Sequence, residues 1–69
     1  MSLLLKILAL LSQLQNNVLV QEIEQCVLSN STASAIWSCI LSKLAGANLP
    51  PDSTDHAIVE GAKLMAKKL

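Results

Sequence analysis

Apolar residues recur along the chain at helical spacing, in four stretches separated by turn-forming residues. In the first stretch, leucine or isoleucine repeats every three or four residues, which is the spacing of one helix face. Asn16-Asn17, Ser29–Thr32 and Pro50-Pro51 divide the stretches, because these residue types favour turns and helix caps. The pattern predicts helices over about residues 2–15, 18–28, 33–44 and 53–68.

Short connections between these helices favour an all-α fold, a small bundle of about four short helices with up-down connections. Residues 1–69 are expected to form a single helical domain, since a chain of this length supports only one core. Gly46 is expected to end the third helix in the left-handed conformation. Gly61 is expected to let a neighbouring backbone approach the fourth helix closely.

This pattern leaves more aliphatic surface than so small a bundle can cover. Of the 69 residues, 52% are hydrophobic, with no Phe, no Tyr and one Trp. Residues 1–21 carry a single charge, Lys6, and residues 25–51 carry a single charge, Lys43. Because charged side chains normally keep small monomers apart, we expect this chain to bury its surplus in an oligomer, against a protein partner or against a membrane.

Helix one is the expected contact surface. A bundle helix normally shows an apolar stripe a little over 100° wide, whereas helix one has eight Leu or Ile between residues 3 and 14, on the stripe and its flanks. The single Trp is expected either as an interface anchor or as the bulky centre of the core. The predicted interface residues are Leu3, Leu4, Leu5, Ile7, Leu8, Leu10, Leu11 and Trp37.

Two cysteines, Cys26 and Cys39, lie on either side of the Ser29–Thr32 turn, one on each of the helices that it joins. Antiparallel helices would bring them face to face, so they form a candidate disulfide. The alternative is two buried thiols that act as small hydrophobic side chains.

Charge and residue content argue against several functional classes. The formal net charge is zero and there is no Arg, so we expect no nucleic-acid binding. One His and two Cys are too few for a tetrahedral zinc site. No catalytic or nucleotide-binding motif is apparent, and we expect neither an enzyme nor a cofactor.

Three hypotheses for function follow from these patterns. The leading one is a non-enzymatic structural or assembly protein, a helical subunit or accessory component of a virion, pilus or filament that self-associates or docks through helix one. The second is a membrane-active peptide of the bacteriocin or toxin kind, in which helix one contacts a membrane, although such helices usually carry several cations. The third is a soluble adaptor or regulator that binds a protein partner in a helix groove.

Overall fold

The structure, a computed structural model, describes residues 2–69; Met1, the first residue of the predicted domain, lies outside this range. Its elements are α1 (Leu3–Leu11), α2 (Asn17–Ser29), α3 (Ala33–Ala45) and α4 (Thr54–Ala66). The described residues contain no strand. The predicted all-α fold, a small bundle of four short helices, is confirmed.

Each helix begins at a polar side chain that caps its first turn. Ser2, Asn16, Thr32 and Ser53 have extended backbone angles, and each side chain accepts a hydrogen bond from the N–H group three residues later. A cap of this kind stabilises a helix by about 1 kcal/mol. The capping residues therefore fix where each apolar stripe starts.

α1 is shorter than the pattern of leucines predicts, because it ends at Leu11 rather than near residue 15. Beyond it, the Gln13 and Leu14 N–H groups donate to carbonyl oxygens only three residues back, which tightens the last turn. The Ser12 hydroxyl donates to the carbonyl of Ala9. Gln15 lies beyond the end of α1, and its N–H donates to a side chain of α4.

That side chain is Asp55, in the first turn of α4. Its Oδ1 accepts from the N–H of Gln15 at 2.8 Å, and its Oδ2 accepts from the N–H of Asn16 at 3.0 Å. Asp55 is only 8% exposed, so water does not replace these bonds easily. α2 has no acidic residue in its own first turn. Asp55 thus places negative charge near the N-termini of both α2 and α4, where the helix dipoles favour it.

The helices associate most closely as two pairs, α1 with α4 and α2 with α3. α1 and α4 run antiparallel, since the end of α1 lies beside the start of α4. All four helices contribute to one aliphatic core. Its buried members are Ile7, Leu11, Leu14, Leu19, Ile23, Cys26, Ile36, Ile40, Leu44, Val59 and Ala62.

Both glycines differ from what the sequence predicts. Gly46 caps α3 in the right-handed region, with φ −85°, so the predicted left-handed conformation is wrong. A tight turn closed by the Ala47 N–H on the Leu44 carbonyl makes that conformation unnecessary. At Gly61 the close neighbour is a side chain and not a backbone, since a Cβ there would lie 3.4 Å from Leu10 Cδ2.

Cys26 and Cys39 are joined by a disulfide that links α2 to α3, with their Cα atoms 5.6 Å apart. Cys26 is buried in the core, whereas Cys39 is half-buried. The face-to-face placement predicted from the Ser29–Thr32 turn is therefore present in the structure.

We expect Asp55→Ala to lower the free energy of unfolding by about 2–3 kcal/mol, because it leaves two N–H groups without an acceptor in a part-buried site. Urea unfolding followed by circular dichroism measures the change. Asp52→Ala is the matched control, since Asp52 is exposed and should cost less than about 0.5 kcal/mol. Equal effects of the two changes would contradict the role assigned to Asp55.

We expect Gly61→Ala to raise the free energy of unfolding by up to about 1 kcal/mol, because alanine favours the helix and loses less chain entropy on folding. The new methyl group meets Leu10 at ordinary van der Waals distance. Thermal unfolding should show an increase in Tm. A decrease would mean that Leu10 has no room to adjust.

Reduction of the disulfide should lower the free energy of unfolding by about 3 kcal/mol, because it frees a short loop in the unfolded chain. Urea unfolding with and without a thiol reductant measures this. The double variant Cys26→Ala, Cys39→Ala should resemble the reduced protein and should not respond to the reductant. A reductant effect in that variant would contradict the assignment.

Candidate functional site: the groove between helices one and two

An open apolar groove of about 350 Å³ lies between α1 and α2. Two buried core residues, Leu11 and Ile23, form its floor. Leu28 stands at its edge with 78% of its surface exposed. The full lining is Leu8, Leu11, Ser12, Val20, Ile23, Glu24, Val27 and Leu28.

The groove exists because the two helices that form it have other closest neighbours. α1 packs most closely on α4, and α2 on α3. The side chains between α1 and α2, such as Leu8, Val20 and Val27, consequently remain half-buried. A partner that filled the groove would complete their burial.

Leu5 extends this apolar surface along α1. It lies one helical turn before Leu8, on the same side of the helix, and is 56% exposed. The eight lining residues and Leu5 are called the groove surface below. Its two most exposed members, Leu5 and Leu28, belong to different helices.

Glu24 is the only charged residue of the groove surface. α2 carries one further carboxylate, Glu22, and no Lys. The groove surface is thus an aliphatic surface with negative charge on one side. Ser12 and Glu24 are the only polar side chains of the groove surface, so it is suited to binding an apolar side chain with a cation near it.

The residues predicted for the interface on α1 fall into three groups. Leu8 and Leu11 line the groove, and Leu5 lies one helical turn before Leu8. Ile7 is wholly buried and so cannot contact a partner in this conformation. The remaining α1 residues are half-buried against the subunit's own core: Leu3, Leu4 and Leu10.

Trp37, the other residue predicted for the interface, lies on α3 and is half-buried against the core. It does not line the groove. It packs against the core, and part of its surface stays exposed.

The α2 side of the groove was not predicted as an interface. Val20 and Val27 lie at helical spacing with Ile23, a pattern that on its own indicates only core packing. Leu28 does not share this spacing. An exposed leucine near the end of a helix with few charges is the only feature of the sequence that indicates a contact surface on α2. Nothing in the sequence near Asp55 indicates its hydrogen bonds to Gln15 and Asn16 in the α1–α2 connector.

Residues 2–69 contain no group of three or more His, Cys, Asp or Glu side chains placed to hold a metal ion.

Within the described part of the chain, no helix has both the length and the apolar character needed to cross a membrane.

The chain matches no protein-family model, no curated protein and no solved structure.

Proposed function

We propose that this protein is a non-enzymatic assembly protein, a small helical subunit or accessory component of a larger particle such as a virion, pilus or filament. It binds protein through the groove surface, and the first partner is another copy of itself. The observation that carries the proposal is the groove itself, which is open, almost entirely aliphatic and edged by exposed leucines.

Burial of the groove surface supplies the driving force for association. Full burial of one exposed leucine stabilises a contact by about 1.5–3 kcal/mol, and Leu5 and Leu28 both offer most of that gain. Grouped apolar residues of this kind mark binding surfaces on small proteins. The low charge of the groove surface agrees with the depletion of charged residues from interface cores.

A second candidate function rests on the same groove. A hydrophobic groove between adjacent helices can accept the apolar face of an amphipathic helix from a different protein. The chain would then act as an adaptor rather than a subunit. A membrane-active role ranks lower, because interfacial helices carry cations around their apolar face and the groove surface carries Glu24 instead.

We expect the paired variant Leu5→Gln, Leu28→Gln to associate at least about tenfold more weakly than the unchanged protein, since a loss of 1.4 kcal/mol is tenfold in affinity. Glutamine keeps the charge and a good helix propensity, so the helical circular dichroism should persist. Size-exclusion chromatography with light scattering over a range of concentrations measures the mass.

The matched control is Val18→Gln, Leu41→Gln, which removes two exposed apolar residues outside the groove. It should associate as the unchanged protein does. Equal association of both variants would contradict the proposal, as would a monomer at every concentration. A monomer that binds or permeabilises lipid vesicles would favour the membrane-active alternative.

A further inference from the structure

Resting on the proposed function, we propose that the occupant of the groove is the end of α4 from a second copy of this chain. This end, called the α4 tip, comprises Leu64, Lys67, Lys68 and Leu69. Each copy would insert its tip into the groove of the next, with Leu64 against the aliphatic lining and the two lysines beside Glu24.

The α4 tip has the shape and polarity that the groove requires. Leu64 is 62% exposed, although it is an aliphatic residue near the end of a helix. Lys67 and Lys68 follow Leu64 by three and four residues, directly after Ala66, the last residue of the helix. A tight turn keeps both lysines beside the end of the helix, since the N–H of Lys68 donates to the carbonyl of Met65 three residues back. The tip is thus an apolar projection with two adjacent cations.

Charge complementarity favours this occupant. Within residues 2–69 the one salt bridge joins Lys63 Nζ to Glu60 Oε2 at 3.5 Å, inside α4 itself. Glu24 on the groove surface and both tip lysines are left without an ionic partner in that part of the chain. A second copy brings these opposite charges together while it buries Leu64.

The alternative arrangement, in which two grooves face each other, lacks this complementarity. A symmetric contact would bring the Glu24 side chains of both copies to the same surface, and α2 has no Lys to place between them. Like charges brought together at an interface oppose binding. The tip contact replaces that repulsion with attraction.

A contact between a tip and a groove is heterologous, so each added copy leaves one free groove and one free tip. Such contacts produce a ring if the rotation closes and an open filament if it does not. This geometry deepens the proposed function, because it explains how one kind of subunit could build a particle of many copies.

Charge reversal on each side of the contact tests the inference. The groove variant is Glu24→Lys, and the tip variant is Lys67→Glu, Lys68→Glu. We expect each alone to associate at least about tenfold more weakly than the unchanged protein, because each now faces a like charge. We expect a 1:1 mixture of the two variants to recover association with the variants in alternating order, since every contact between unlike variants joins opposite charges.

The matched control is Lys6→Glu, Lys43→Glu, which makes the same change in net charge at two exposed positions outside the tip. It should leave the mass distribution unchanged. The triple variant Glu24→Lys, Lys67→Glu, Lys68→Glu should associate on its own. Both predictions are read by the same light-scattering measurement at low and high salt, and high salt should reduce the differences.

The outcomes separate this inference from the proposed function. If Leu5→Gln, Leu28→Gln weakens association but the tip variant associates normally, the groove is the interface and the tip is not its occupant. If the tip variant is weakened but the mixture does not recover, direct pairing with Glu24 is wrong. If neither the glutamine variant nor the tip variant changes the mass, both proposals fail.

Discussion

The carboxylate of Asp55 joins the start of α4 to the connector between α1 and α2, two segments that are far apart in the sequence. It accepts two N–H groups from the connector between α1 and α2, at sequence separations of 40 and 39. Hydrogen bonds to an ionised acceptor are stronger than neutral ones, and these two lie in a part-buried site. Because the connector is tied to the start of α4, the point and direction at which α2 leaves α1 are fixed relative to the α1–α4 pair.

This constraint and the disulfide together account for the groove. The disulfide draws α2 toward α3, and the leucines of α1 pack mainly on α4. α1 and α2 are consecutive in sequence, yet each packs most closely on a different helix, α1 on α4 and α2 on α3. The disulfide and the Asp55 hydrogen bonds therefore hold the two helices in place but leave the aliphatic residues between them uncovered. In this way a small bundle can present an apolar surface and keep its fold.

Much of the fold could be predicted from the spacing of apolar residues and the polar residues that precede each helix. The end of α1 could not, because it depends on Asp55, whose partner is distant in sequence. The environments of Leu5 and Leu10 could not be predicted from the sequence either. Both lie off the main stripe of α1 and look equivalent in sequence, but Leu10 faces Gly61 of α4 whereas Leu5 faces solvent. Only the arrangement of the helices distinguishes them, and the groove follows from the same arrangement.

The pairing of α1 with α4 also has a consequence for synthesis on the ribosome. The α2–α3 hairpin can close as soon as its own residues have emerged, because its contacts are local. α1 is made earlier, yet its closest partner is the last of the four helices to appear. Its leucines therefore lack their closest partner until α4 has been made, in the kind of state that chaperones recognise. The order of the helices makes the nascent chain more vulnerable to aggregation than the finished protein.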